Sequence, residues 1–99
     1  MALMTVLIAP LGEEIIFRGL LYTSLRKRLG LGLAAVVSAT IFAFIHHYSW
    51  LGSTMVFVDG VAWVYAFEYT GSLLPGIIAH ALGNLFWVLR MYFLYRPVV

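Results

Sequence analysis

Long apolar stretches alternate with short polar breaks along the chain, and this pattern predicts four helices. The apolar segments run from about Ala2 to Leu25, Leu31 to His47, Leu51 to Tyr69 and Leu73 to Tyr95. Each segment is close to the roughly 20 residues that a helix needs to cross a hydrocarbon core of ~30 Å. The chain lacks the ten-residue alternation typical of membrane β-barrels, so helices are the expected spanning elements.

The composition favours a membrane location for these helices. Of the 99 residues, 64% are hydrophobic and 10% are charged, whereas a soluble domain has about 45–50% apolar and about 25% charged residues. A chain this short cannot hide so much apolar surface in its own interior. We therefore predict an all-α fold, a polytopic transmembrane helical bundle of about four helices in a single region, 1–99.

The residue types exclude several kinds of catalytic site. The chain has no cysteine, and Asp59 is its single aspartate, so a cysteine nucleophile and a two-aspartate mechanism are excluded. It contains no His-Glu-x-x-His zinc motif and no serine in a Gly-x-Ser-x-Gly setting. What remains is a small set of Glu, His and Asn side chains spread over three of the predicted helices.

Two adjacent glutamates, Glu13 and Glu14, lie inside the first apolar segment. Carboxylates at membrane depth are rare and usually functional, because they are costly unless paired or solvated. Glu14 and Arg18 share a helix face and are expected to form an ion pair, which leaves Glu13 in a different environment as a candidate general base. Alternatively, all three form an inert salt-bridge network. Pro10 leaves open whether the glutamates lie in mid-helix or near a helix start.

Histidines mark two further segments. His46 and His47 lie near the end of the second segment, where a histidine is commonly an interfacial residue bonded to water or backbone. His80 and Asn84 are four residues apart in the fourth segment and share a helix face. Such a pair can bind a substrate carbonyl and its developing oxyanion, or it can simply hydrogen-bond one helix to another.

The third segment contains other polar and aromatic residues. Asp59 is a candidate for reaching the bundle interior, and Glu68 is expected to be solvated near the membrane interface. Interface anchoring or packing, rather than a stacking site, is expected for the aromatic residues Trp63, Tyr65, Tyr69, Trp50, Tyr48, Tyr92 and Tyr95. Small residues recur in the second segment, as expected of a helix that packs tightly against others.

Three motifs in this order resemble the CPBP intramembrane proteases: Glu13-Glu14-x-x-x-Arg18, Phe42-x-x-x-His46 and His80-x-x-x-Asn84. That family includes the type II CAAX prenyl endopeptidases and bacterial proteins linked to bacteriocin production or self-immunity. The resemblance covers essentially the whole chain. Because family members usually have further N-terminal membrane helices, region 1–99 is expected to be the catalytic region of a larger family fold, with those helices or other subunits as candidate partners.

The resemblance implies an intramembrane endopeptidase that cleaves a peptide bond of a membrane-associated or prenylated, CAAX-type substrate. Glu13 would activate a water molecule with help from His46. His80 and Asn84 would stabilise the oxyanion. The residues implied to support the site are Glu14, Arg18 and Phe42. The implied location is a multi-pass integral membrane protein, expected in a prokaryotic cell membrane.

No cofactor is favoured for this reaction, although zinc is an alternative. Glu13, His46 and His80 have the donor types of a two-histidine, one-carboxylate zinc site, and the family has often been described as metalloproteases. Asn84 beside His80 favours the metal-independent mechanism, because Asn is a poor zinc ligand. The expected partners are membrane lipid and a peptide or prenylated peptide, and a net charge of only +2 gives no indication of nucleic-acid binding.

Two other functions stay open at this point. One is a non-catalytic membrane protein that binds a peptide, such as a bacteriocin immunity factor. The other is a proton-coupled carrier that uses Glu and His as a relay. The short chain and the lack of inverted repeats argue against the carrier.

Overall fold

The computed structural model describes residues 3–46 and 49–95, and this part of the chain forms four helices and no strand. Helix α1 is a continuous helical run of four segments: Met4–Ile8, Ala9–Glu14, Ile15–Tyr22 and Thr23–Leu29. The others are α2 (Leu31–Phe44), α3 (Trp50–Thr70) and α4 (Leu74–Tyr95). These bounds agree closely with the four apolar segments predicted from the sequence.

Helix α1 contains two π-helical stretches, Met4–Ile8 and Ile15–Tyr22. In the first, the N–H of Ala9 donates to the carbonyl oxygen of Met4, five residues earlier. Pro10 follows directly and has no N–H to donate, so a wider turn is tolerated there. The flanking residues keep right-handed helical dihedral angles, so Pro10 does not begin a separate helix. The two glutamates therefore lie in the middle of α1.

Glycines with positive φ end two of the helices. Gly30 (φ +81°) separates α1 from α2, and Gly71 (φ +69°) ends α3 in the left-handed conformation. This conformation favours glycine because it has no Cβ. Helix α3 begins after Ser49, whose hydroxyl oxygen accepts a hydrogen bond from the N–H of Gly52 at 3.2 Å.

Helix α2 packs along α3 through its small residues, which confirms the predicted tight packing. Its buried small side chains are Ala34, Ala35, Ser38, Ala39 and Ala43. On α3, Gly60 lies so close that an added Cβ would be 3.2 Å from the Cβ of Ala39. In a bilayer the hydrophobic effect does not drive helices together, because lipid is as apolar as the helix surfaces. Close packing of the backbones stabilises the association of helices instead.

The outer surface of the bundle is strongly apolar. Large side chains such as Trp50 (88% exposed) and Phe86 (69% exposed) face outward. Helix α3 and the stretch Leu74–Leu94 of α4 are each long and apolar enough to cross a membrane by length and composition. Exposed apolar surface on this scale is unusual for a soluble monomer. The prediction of an all-α membrane helical bundle is confirmed.

Glu68 ties the end of α1 to the end of α3, while its side chain stays 29% exposed, in line with the expectation that it is solvated. The hydroxyl of the buried Tyr22 donates to Oε1 of Glu68 at 2.5 Å. Nε of Arg26 donates to the same oxygen at 2.8 Å. The cluster places the Arg26 turn and the turn after α3 at the same end of the bundle.

Candidate active site

The two glutamates differ in exposure because successive residues of a helix point about 100° apart. The side chain of Glu14 is 1% exposed, whereas that of Glu13 is 30% exposed. Oε1 of Glu14 lies 3.5 Å from Nη1 of Arg18, so the predicted ion pair is present. Of the two carboxylates, Glu13 is the one that water or a substrate can reach.

His80 of α4 lies between the two glutamates. Its Nε2 is 3.2 Å from Oε1 of Glu13, and its Nδ1 is 3.1 Å from Oε1 of Glu14. The imidazole is buried, with 5% of the side chain exposed, and both ring nitrogens can donate at once only when the ring is protonated. The sequence predicted the Arg18 contact of Glu14 but missed this second one, which makes Glu14 a direct partner of His80.

His46 follows the end of α2 and approaches Glu13 from another side. Its Nδ1 lies 2.6 Å from the carbonyl oxygen of Phe42, to which an Nδ1–H donates. In that tautomer the neutral ring keeps its lone pair on Nε2, which is 3.7 Å from Oε1 of Glu13. The structure therefore brings His46 and His80 to the same oxygen of Glu13. His47, which had no assigned role, lies outside the described residues.

Arg18 is enclosed by aromatic rings as well as by its acidic partner. Its side chain is 2% exposed, and its guanidinium carbon lies 4.5 Å from the ring centre of Phe42 and 5.3 Å from that of Trp63. Its three side-chain nitrogens have no hydrogen-bond partner within the described part of the chain. The charge of Glu14 and the faces of two rings therefore stabilise this cation.

Trp63 packs on His80 with its ring stacked on the imidazole, so it is a packing residue, one of the two roles expected for it. The two ring centres are 4.5 Å apart with an angle of 23° between the planes. Phe42 contacts the same imidazole edge-on at 5.8 Å. These rings restrict the orientation of His80. In the sequence, the feature that could have placed Trp63 at the site is its spacing of four residues from Asp59. This spacing puts both residues on one face of α3.

Two glycines that the sequence analysis did not single out give the buried charges room. A Cβ added at Gly76 would lie 3.0 Å from Oε2 of Glu14. A Cβ added at Gly60 would lie 3.1 Å from Nη2 of Arg18. A side chain at either position therefore forces the ion pair to shift.

Asn84 is anchored to α1 and lines the cavity beside His80. Its Nδ2 donates to the carbonyl oxygen of Thr5 at 2.8 Å. A cavity of about 80 Å³ lies next to these residues and is lined by Phe42, His46, Val56, Asp59, Trp63, His80 and Asn84. A wider cavity of about 370 Å³ shares the Asp59, His80 and Asn84 walls and extends to Arg90. Asp59 thus lines the interior space, as the sequence suggested.

A metal site in the described part of the chain would take its ligands from His, Asp and Glu side chains. No group of three His, Asp or Glu side chains among the described residues is spaced to hold a metal ion. The zinc ligands suggested by the sequence are Glu13, His46 and His80, and both histidines approach Oε1 of Glu13. Nε2 of His80 lies 3.2 Å from this oxygen, which is a hydrogen-bonding distance. The arrangement that the side chains form is a hydrogen-bonded charge cluster.

The chain matches a known protein family. Residues 1–86 match the family described as type II CAAX prenyl endopeptidase Rce1-like. The matched range contains the Glu13–Arg18, Phe42–His46 and His80–Asn84 motifs. No curated protein and no solved structure matches the chain.

Proposed function

The chain belongs to the type II CAAX prenyl endopeptidase Rce1-like family, and on this basis we propose that Glu13 activates a water molecule to cleave a CAAX-type substrate. Membership itself implies, at the family level, a membrane-embedded protease. A CAAX box is a C-terminal sequence of cysteine, two aliphatic residues and a final residue, and its cysteine is prenylated. The roles of individual residues form the finer part of the proposal.

The observation that carries the proposal is the difference between the two glutamates that hold His80. A general base must lie within hydrogen-bond reach of the water it deprotonates. Glu13 meets this requirement because its carboxylate is partly exposed and has a histidine on each side. Glu14 is buried and engaged by Arg18 and His80, so its role is to position His80.

His46 completes the binding of the water. Because its Nδ1–H is donated to the carbonyl oxygen of Phe42, its neutral ring offers the Nε2 lone pair as an acceptor. A water between Glu13 and His46 donates one hydrogen to each. Its oxygen lone pair is then directed at the carbonyl carbon of the substrate.

The charges of the cluster balance when His80 is protonated. Glu14 and Arg18 form one pair of opposite charges, and Glu13 and His80 form the other. A buried cluster without net charge avoids the large cost of an uncompensated ion in a low-dielectric interior. The neighbouring cation thus stabilises Glu13 as the carboxylate that a general base requires.

The same arrangement supplies oxyanion stabilisation as the reaction proceeds. The water oxygen bonds to the carbonyl carbon while its proton moves to Glu13, which becomes neutral and releases the Nε2–H of His80. That N–H and the second amide hydrogen of Asn84 then stabilise the oxyanion. The C–N bond breaks as the proton on Glu13 passes to the leaving nitrogen, which regenerates the carboxylate.

We propose that this reaction needs no metal ion. The alternative set, Glu13, His46 and His80, would place zinc at the oxygen that His80 contacts, and zinc would there supply an activated water. The presence of Asn84 beside His80 supports the oxyanion role of that helix face instead.

The test uses the full chain in lipid nanodiscs with a farnesylated CAAX peptide, and mass spectrometry detects the products. Glu13→Gln is expected to lower kcat/KM by at least about 100-fold, because a general base contributes about 10²–10⁴-fold. Glu68→Gln is the matched control at the far end of the bundle and is expected to retain activity. Circular dichroism verifies that both variants are folded.

Other outcomes contradict the proposal in different ways. Wild-type activity in the Glu13→Gln variant would show that Glu13 is not the general base. A wild-type chain that binds the peptide and leaves it intact would favour the non-catalytic peptide-binding alternative. Loss of helicity in Glu13→Gln alone would indicate that Glu13 has a structural role.

A further inference from the structure

Arg90 is a cation on the cavity wall to which the proposed reaction gives no task. It lies on α4 and lines the wider cavity together with His80 and Asn84. Its side chain makes no hydrogen bond or ion pair with any other residue in the described ranges 3–46 and 49–95. A positive charge that faces a cavity without an acidic partner is available to a ligand.

The position of Arg90 on α4 follows the face that contains the proposed oxyanion site. His80, Asn84, Trp87 and Arg90 are spaced three or four residues apart, and all four line the same cavity. With a rise of about 1.5 Å per residue, Arg90 lies about 9 Å along the helix from Asn84 and about 15 Å from His80. The face thus has hydrogen-bond donors at one end and a cation at the other.

The cavity is also charged in opposite senses at its two ends. Asp59 lines both the narrow cavity at His46 and the wider one, whereas Arg90 lines the wider one and not the narrow one. A ligand in this space would therefore place a negative group at the Arg90 end, away from Asp59.

The wall between these ends is mostly apolar. It is formed by side chains that include Met55, Val56, Phe86 and Trp87. Its volume of about 370 Å³ falls within the range of about 300–1,000 Å³ typical of small-ligand sites. Apolar walls of this kind suit a ligand that has aliphatic side chains between a polar reacting group and a charged end.

We propose that Arg90 binds the C-terminal carboxylate of the peptide substrate and thereby determines which peptide bond is cleaved. This inference rests on the proposed function. In a CAAX box three residues follow the prenylated cysteine, and an extended chain advances about 3.3–3.6 Å per residue. The carboxylate therefore lies about 10 Å beyond the bond after the cysteine, which matches the separation of Asn84 and Arg90.

The test compares two farnesylated CAAX peptides that differ only at the C terminus, one ending in a carboxylate and one in a carboxamide. The wild-type chain is expected to cleave the acid about 10- to 100-fold more efficiently, in line with hydrogen bonds to charged groups. Arg90→Gln is expected to lose this preference and to cleave the amide as the wild type does. Arg90→Lys should keep part of the preference, and Arg28→Gln, at the other end of the bundle, should keep all of it.

A binding measurement separates this inference from the proposed function. The Glu13→Gln chain in nanodiscs should bind the acid about tenfold or more tightly than the amide, and adding Arg90→Gln should abolish that difference. Equal binding of both peptides, or a preference that survives Arg90→Gln, would overturn the inference and leave Arg90 as an interfacial residue. Discrimination in binding without cleavage by the wild type would overturn the proposed function alone.

Discussion

Replacement of Glu14 by glutamine is the most direct test of the buried charge cluster. Glutamine keeps the shape of the side chain and can still accept a hydrogen bond from Nδ1 of His80. It removes the negative charge opposite Arg18, whose side chain is 2% exposed and whose nitrogens have no hydrogen-bond partner among the described residues. The variant therefore isolates the contribution of charge.

The expected magnitude follows from burial. Removal of one partner from a buried ion pair costs about 3–5 kcal/mol, because the other charge is left uncompensated. We expect about 3 kcal/mol for Glu14→Gln, at the lower end of that range, because the aromatic rings still contact Arg18. Glu68→Gln is the matched substitution in a pair with side chains 44% and 29% exposed, and exposed pairs contribute about 0–1 kcal/mol.

The assay is reversible unfolding of the full chain in mixed micelles with increasing denaturing detergent, followed by circular dichroism. Equal losses in the two variants would refute the argument from burial. The double variant Glu14→Gln/Arg18→Met provides a second measurement if the single variant is too unstable. It should be more stable than Glu14→Gln, because no buried charge remains unpaired; a double variant that is less stable than Glu14→Gln would show that the two residues are not coupled in this way.

Two other predictions concern the packing around Gly76 and the need for a metal ion. Gly76→Ala is expected to cost about 1–3 kcal/mol through overpacking, because its Cβ would lie 3.0 Å from Oε2 of Glu14. Gly83→Ala on the same helix, with no atom within 4 Å of its Cβ, should be close to neutral in the same unfolding assay. Treatment with a chelator, followed by metal analysis, should leave peptide cleavage unchanged; activity that is lost and then restored by zinc would contradict the metal-independent mechanism.

Helix periodicity accounts for the parts of the site that could be predicted. The four-residue spacing of Glu14 and Arg18 predicted their ion pair, and the adjacency of Glu13 and Glu14 predicted their different environments. The spacing of His80 and Asn84 predicted that they share a helix face, and both line the same cavity. These inferences succeed because a single helix determines which of its own residues share a face.

Contacts between helices account for what the sequence did not reveal. The stacking of Trp63 on His80 depends on the packing of α3 against α4, and an apolar segment offers many aromatic residues that are equivalent by composition. The close approach of Gly76 to Glu14 is a property of the α1–α4 interface. The same holds for the contact of His80 with both glutamates, which depends on the depth and rotation of α4.

The charge cluster also links assembly of the bundle to the proposed chemistry. In an isolated α1, the carboxylates and Arg18 would face lipid with only each other as partners, and in an isolated α4, His80 would have none of its present contacts. Docking of α4 against α1 provides His80 with Glu13 and Glu14, while α2 and α3 supply the rings of Phe42 and Trp63. Because charged and polar side chains are expensive in lipid, the arrangement that stabilises them together is also the one that orients His80 toward Glu13. Correct packing of the helices is therefore sufficient to align the proposed base with its histidine.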